Sequence, residues 1–265
     1  MQASTMARDM NASSSQPLRI LAIEDDPLIA RFLIDALTGA GHDVRLATRG
    51  ADALDAARAQ AFDLPLIDLQ LPDTDGAALL VRLRADPAAA SRGTTAIAMS
   101  GELTRERRTE LLALGFTEAW QKPVPLAALE SLSAPGGLAA HVAALPDQQQ
   151  SALVLDDTAA LSRLGTEATV HALRGLLATE LPRQWRAILE AVDAGDTSSA
   201  LSVLHQARAS CTLCGANAAA AALGALQESL RRGDDTTPVR AQADAVITRT
   251  LKQMSVDPAF SAAAR

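Results

Sequence analysis

Glu24, Asp25, Asp68 and Lys122 are the residues whose types could do chemistry together. A carboxylate can attack phosphorus only when the repulsion between two anions is screened. Clustered carboxylates are hard oxygen ligands and can hold a divalent cation, Mg2+ above all, that bridges them to the incoming phosphoryl oxygens. A hydroxyl, here Ser100, and the Lys122 ammonium would steady the equatorial oxygens as charge builds. A second cluster, His205-Gln-Ala-Arg208-Ala-Ser210, lies far downstream. An imidazole with a guanidinium one helical turn on can take a phosphoryl group in line. An aspartate acceptor and a histidine acceptor in one chain suggest a protein that passes phosphoryl groups.

These residues are far apart in sequence, so a fold must bring them together. Asp25, Asp68, Ser100 and Lys122 are separated by 43, 32 and 22 residues. Strand and helix signals alternate from Arg19. Strands are expected at Arg19–Ile23, Asp43–Ala47, Leu64–Asp68, Ala96–Met99 and Glu118–Trp120. Helices are expected at Pro27–Leu37, Ala51–Gln60, Gly76–Ala85, Thr104–Leu114 and Leu126–Leu132. Pro27 suits a first helical position, and Gly39, Gly41 and Gly115 suit helix ends. Five successive βα units imply an α/β fold with a doubly wound, five-stranded parallel sheet. In such sheets sites form outside the carboxyl ends of the strands. Each candidate residue follows or ends a strand, so all of them converge on one rim. Pro65 cannot donate to a sheet ladder, which predicts a bulge or a lost hydrogen bond in the strand leading to Asp68.

Residues 134–150, rich in Pro, Gly and Gln, read as a linker. A flexible chain of that length spans about 23 Å root-mean-square. No strand signal follows. Helix-length segments at Thr166–Ala194, Thr197–Cys214, Asn217–Arg232 and Val239–Met254 predict an all-α four-helix bundle. The division is therefore a disordered tail at 1–16, an α/β domain at 17–133, the linker, a helical domain at 151–255 and a second tail at 256–265.

On a helical wheel Arg208, Ala209 and Thr212 fall within about 60° of His205, whereas Cys211 and Cys214 fall on the far side. His205 is thus expected on an exposed stripe and the two cysteines in the core. His42, His141 and His171 lack such surroundings and read as surface histidines. The Cys211-x-x-Cys214 spacing has no second ligand pair and reads as packing rather than as a metal or redox site.

Composition excludes several classes. Hydrophobic residues make up 48%, enough for a core, but aromatics only 2%, with no Tyr, so Ala and Leu must do the packing. A net charge of −7 gives no general attraction to nucleic acid, and no helix-turn-helix signal follows the linker. Two cysteines cannot form a disulfide framework. The polar N-terminal stretch lacks the apolar run of a secretory signal, and no run reaches membrane-spanning length. A soluble, cytoplasmic protein that contacts neither membrane nor nucleic acid is expected.

The stretches Ile20-Leu-Ala-Ile-Glu-Asp-Asp-Pro27, Phe62-Asp-Leu-Pro-Leu-Ile-Asp-Leu-Gln-Leu-Pro-Asp-Thr-Asp-Gly76, Ile97-Ala-Met-Ser-Gly101 and Gln121-Lys-Pro-Val124 resemble the response-regulator receiver domain over residues 17–133. The resemblance implies a flavodoxin-like sheet with Asp68 as the phosphorylated residue. It implies Asp25 as a direct Mg2+ ligand, Glu24 as one acting through water, and the Gln70 carbonyl as another. Ser100 and Lys122 would contact the phosphoryl group. Asp26 flanks the site without being a ligand. Ala119 stands where receivers carry an aromatic switch residue, which argues against output through that switch; Trp120 should face the other side of the strand.

The stretch from Trp185 to Asp196, followed by Leu204-His-Gln-Ala-Arg-Ala-Ser-Cys-Thr-Leu-Cys-Gly-Ala216, resembles the histidine phosphotransfer (Hpt) domain over residues 151–255. That resemblance implies His205 as the phosphorylated histidine with Arg208 beside it. Ala209 stands where the family has Gly.

The two halves together read as a phosphorelay intermediate. A sensor histidine kinase would load Asp68, and His205 would exchange with this receiver or with one on another protein. No ATP-binding motif set is present, so self-phosphorylation is not expected. A binding reading makes the α/β domain an adaptor, the helices a dimerisation or docking module, and His205 incidental. An aspartyl-phosphate hydrolase is disfavoured, because such hydrolases use a second acid two residues after the nucleophile and this chain has Gln70.

Overall fold

A computed structural model describes residues 17–132 and 154–256. The expected tail at 1–16, the linker at 134–150 and the end of the second tail lie outside the described residues.

The first part alternates β1 (Arg19–Ile23), α1 (Pro27–Gly39), β2 (Asp43–Ala47), α2 (Gly50–Ala59), β3 (Leu64–Asp68), α3 (Gly76–Ala85), β4 (Ile97–Ser100), α4 (Arg105–Ala113), β5 (Glu118–Gln121) and α5 (Leu126–Ser131). The strands pair in parallel in the order β2-β1-β3-β4-β5. The middles of the inner strands are apolar, because helices cover both faces, and polar residues stand only at their ends. Alternate residues feed two cores. Ile20, Leu66, Met99 and Trp120 face α1 and α5, while Leu21, Ile67, Ala98 and Ala119 face α2, α3 and α4. Trp120 and Ala119 therefore sit on opposite faces of β5, as expected.

Pro65 does not introduce a bulge. The register with β1 runs straight through it, Leu21 opposite Pro65 and Ala22 opposite Leu66. Pairing with β4 begins only at Leu66, so Pro65 lies just before the doubly paired part of the strand.

The second part is helical. Four long helices, α7 (Glu167–Asp193), α8 (Thr197–Leu213), α9 (Asn217–Arg232) and α10 (Thr237–Val256), pack in sequence, and α10 returns against α7. A short helix, α6 (Asp157–Leu164), precedes them and is absent from the expectation above. The Asp156 side chain caps it by accepting from the Ala159 amide. Buried Arg174 of α7 pins it by donating from Nε to the Cys214 carbonyl at 3.0 Å and pairing with Asp157 at 2.6 Å. Cys211 and Cys214 are both buried free thiols, and burial pushes the Cys214 thiol up to about 12.

The two parts share one apolar core. The outer side of α1 and α5 packs against α6, α7 and α8, joining Ile29 and Phe32 to Leu177, Leu204 and Leu213. Each large side chain fully withdrawn from water here stabilises the arrangement by about 1.5–3 kcal/mol. This packing sets α8 across the rim formed by the ends of β1 and β4. His42, expected at the surface, is buried, and its Nδ1 accepts a hydrogen bond from the Leu18 amide.

Candidate functional site

The carboxyl ends of β1, β3, β4 and β5 carry the four groups that the spacing singled out. Asp68 closes β3, Glu24 and Asp25 follow β1, Ser100 closes β4 and Lys122 follows β5. One ligand atom from each of Glu24, Asp25 and Asp68 lies within 4.8 Å of the others. Lys122 Nζ reaches between two of them, 2.5 Å from Glu24 Oε2 and 2.7 Å from Asp68 Oδ2. Asp26 does not join the cluster. It caps α1, accepting from the Leu28 and Ile29 amides at 2.9 Å each.

Gly76 starts α3 directly behind Asp68. A Cβ there would collide with the Asp68 carbonyl oxygen and lie 2.8 Å from Leu69 Cα. The turn between β3 and α3 is closed by a bridge between Gln70 and Asp75, and the Gln70 amide donates to Asp68 Oδ1 at 3.2 Å. Ser100 Oγ donates to the Glu102 carbonyl at 2.9 Å rather than to a carboxylate.

The electrostatics follow from packing acids together out of water. Burial holds the Glu24 carboxyl well above its ordinary range, opposed by Lys122 and reinforced by Asp68. Asp25 is pushed up to about 6 by burial and by the charge of Asp68. Burial alone would lower the Lys122 pKa, but Glu24 and Asp68 outweigh it and raise it. One ammonium thus faces three carboxylates, a surplus of negative charge that a cation would relieve. Asp25 Oδ1 is buried without a hydrogen-bond partner. These all-oxygen donors suit a hard divalent ion.

The helical part closes over this rim, and here the sequence reading needs correcting. His205 is not on an exposed stripe; it is 8% exposed, because the α/β part covers the face of α8 that a helical wheel leaves open. Its ring rests against Gly101, the residue after Ser100. Its Nε2 is buried without a hydrogen-bond partner. Burial, then the nearby charge of Lys122, lowers its pKa to about 4, which favours the uncharged imidazole at neutral pH.

Arg208 does not point into the site. Its Nη1 donates to Gln227 of α9, and it stands 3.9 Å from Glu102. Other groups, which sequence reasoning missed, hold the two parts together. Gln206 Nε2 donates to Asp25 Oδ2. Ser210 Oγ donates to Asp26 Oδ2 at 2.8 Å, and Arg231 pairs with Glu102 at 3.2 Å. The motif around His205 contained Gln206 and Ser210, but nothing local marks a partner some 180 residues away.

Comparison with known proteins agrees with this geometry. Residues 20–133 match the model of the response regulator receiver domain, and that stretch is a receiver domain of two-component signalling. The sensor histidine kinase RcsC of Salmonella typhi is 31% identical over 124 residues, which are 46% of this chain and 12% of RcsC. The sensor histidine kinase AruS of Pseudomonas aeruginosa is 27% identical over 219 residues, 82% of this chain and 21% of AruS, a match that runs well past the receiver domain. The chain thus spans only a small part of these relatives' length.

Among solved structures, the receiver domain of the Francisella response regulator 1452 is 28% identical, with a TM-score of 0.41, covering 44% of this chain and 93% of that one. A receiver domain from Methylobacillus flagellatus is 32% identical, with a TM-score of 0.38, covering 44% and 96%. No helix among the described residues is long and apolar enough to cross a membrane.

Proposed function

We propose that the chain is a phosphorelay intermediate, with Asp68 as one phosphoryl carrier and His205 as the other. The observation that carries this reading is the unpartnered Nε2 of a buried imidazole set against the loop that follows Ser100, on the rim around Asp68. In this reading residues 17–133 are the receiver domain and 151–255 an Hpt domain built on a four-helix bundle of α7–α10.

Glu24, Asp25, Asp68 and the Gln70 carbonyl would hold Mg2+, which when bound neutralises charge between the carboxylate and the phosphoryl oxygens. Asp68 attacks phosphorus of an incoming phosphohistidine; the O–P bond forms as the donor's N–P bond breaks, leaving an acyl phosphate. Lys122 then exchanges its contact with the Asp68 carboxylate for one with a phosphoryl oxygen, and Ser100 Oγ turns from the Glu102 carbonyl to another. Onward transfer uses the His205 Nε2 lone pair. An N–P bond forms, the P–O bond to Asp68 breaks, and its electron pair returns to the carboxylate. Arg208 acts indirectly, fixing α8 against α9.

The partners proposed are a sensor histidine kinase upstream and, for His205, either this receiver or one on another protein. A cytoplasmic location fits both. AruS, named a sensor histidine kinase, supports a kinase of that class as the upstream partner. The test is labelling of the full chain with radioactive acetyl phosphate and Mg2+, followed by acid and base treatment. Asp68→Asn should abolish loading. His205→Gln should leave only the base-labile acyl phosphate. Label persisting unchanged in the double variant would refute the proposal.

A further inference from the structure

His205 sits where residue 101 has no side chain. An ideal Cβ on Gly101 would collide with the ring's Cε1 and stand 3.1 Å from Nε2 and 3.3 Å from Nδ1. Ordinary carbon contacts need about 3.5–4 Å, so a ring in this place and a side chain on residue 101 exclude one another. Gly101 does not adopt the left-handed backbone that only glycine favours. The bare position is therefore not required by the turn itself; what it accommodates is the imidazole.

Polar pairs surround this seat. On one side Gln206 donates to Asp25 and Ser210 to Asp26; on the other Arg231 meets Glu102. Ser210 is 1% exposed and Asp26 also 1%, so their bond is made out of water, where an unmade partner costs about 1–3 kcal/mol. Gln206 occupies only Oδ2 of Asp25, and Oδ1 stays free. Docking therefore fastens on the acids that border Asp68 without using up the cluster's open ligand atom.

We propose that Gly101 is the specificity-determining position of this rim: its bare backbone seats His205 of the same chain and so makes the chain's own α8, anchored through Gln206 and Ser210, the partner docked over Asp68. An external histidine must displace that helix to reach Asp68, which is itself only 2% exposed. The consequence for phosphoryl flow rests on the phosphotransfer reading above; the seat itself does not.

The experiment uses the full chain and its Gly101→Ala and Gly101→Val variants. Diethyl pyrocarbonate modifies accessible neutral imidazoles, and the rate at His205 is read by mass spectrometry. His205 is the end of a side chain with two free torsions, so the added carbon should turn it out of the seat rather than unfold the loop. The rate at His205 should rise about tenfold or more, while far-UV circular dichroism stays unchanged. A Gln206→Ala, Ser210→Ala double variant should expose His205 equally by removing the anchors instead of filling the seat. Protection within about twofold of the native chain in all three overturns the proposal.

Acetyl phosphate labelling in parallel separates this failure from that of the phosphotransfer reading. Label should shift from His205 to Asp68 in the Gly101 variants. A native chain that takes no label, yet exposes His205 when residue 101 is filled, keeps the seat and loses the relay.

Discussion

Replacing Asp25 by asparagine should stabilise the receiver domain at neutral pH while weakening its hold on a divalent cation. The Asp25 carboxyl is raised to about 6 from an ordinary 3.8, first by burial and then by Asp68. A raised carboxyl pKa means that the folded state resists ionisation. Below pH 3.8 both states are protonated and the shift has no effect. Between 3.8 and 6 the unfolded chain has lost its proton and the folded chain has not, so the cost grows with pH. Above about 6 it is complete. At 1.36 kcal/mol per unit, the full cost is about 3 kcal/mol.

The amide oxygen introduced by Asp25→Asn can still accept from Gln206, so the anchor to α8 is kept. The expected gain is therefore about 2–3 kcal/mol near pH 7.5, shrinking to about 1 kcal/mol near pH 4.5. Urea unfolding in the presence of a chelator measures it, with hydrogen exchange at β3 amides assigning the transition to the receiver domain. If the cluster holds Mg2+ as proposed, excess Mg2+ should stabilise the native chain more than the variant, whose amide lacks the carboxylate charge. A variant equal to or less stable than the native chain near pH 7.5 in chelator, or a gain independent of pH, would show that the cluster's charge is not what strains the site.

Four further outcomes follow from the same packing. In an NMR titration of the full chain, the His205 ring should change protonation near pH 4, as burial and Lys122 require; a midpoint near the ordinary 6.5 would contradict its buried placement. Gly76→Ala should cost the receiver domain more than about 1–3 kcal/mol in thermal unfolding, since the new carbon meets the β3 backbone and not a movable side chain. Gly93→Ala, with nothing within 4 Å, should change stability by less than about 0.5 kcal/mol. Arg174→Met should cost about 1–3 kcal/mol and speed hydrogen exchange in α6. That loss comes mainly from the buried bond to the Cys214 carbonyl, because Asp157 is 75% exposed and an ion pair to such a group contributes little.

The local elements were legible because their signals are local. β1, β2 and β3 fall on the expected residues, since turn residues bound each apolar run. Asp26 and Pro27 start α1, and α9 runs over the expected Asn217–Arg232. The convergence of Glu24, Asp25, Asp68, Ser100 and Lys122 was legible too, because in a parallel sheet every strand's carboxyl end lies on one side. α6 escaped notice: its eight residues make barely two turns, and much of its anchoring comes from Arg174 of another helix.

The sequence by itself determined the elements apart from α6, the order of acid, hydroxyl and lysine along the strand ends, and the inward face of Cys211 and Cys214. Only the tertiary structure decided the surroundings of His205. A helical wheel reports which residues share a face of one helix, not what covers that face. Here α1 and α5 present apolar surface to α6, α7 and α8, and the burial of that surface places α8 on the rim. Gly101, Gln206 and Ser210, which lie inside recognised motifs, acquire these roles only through that contact, between groups more than 100 residues apart.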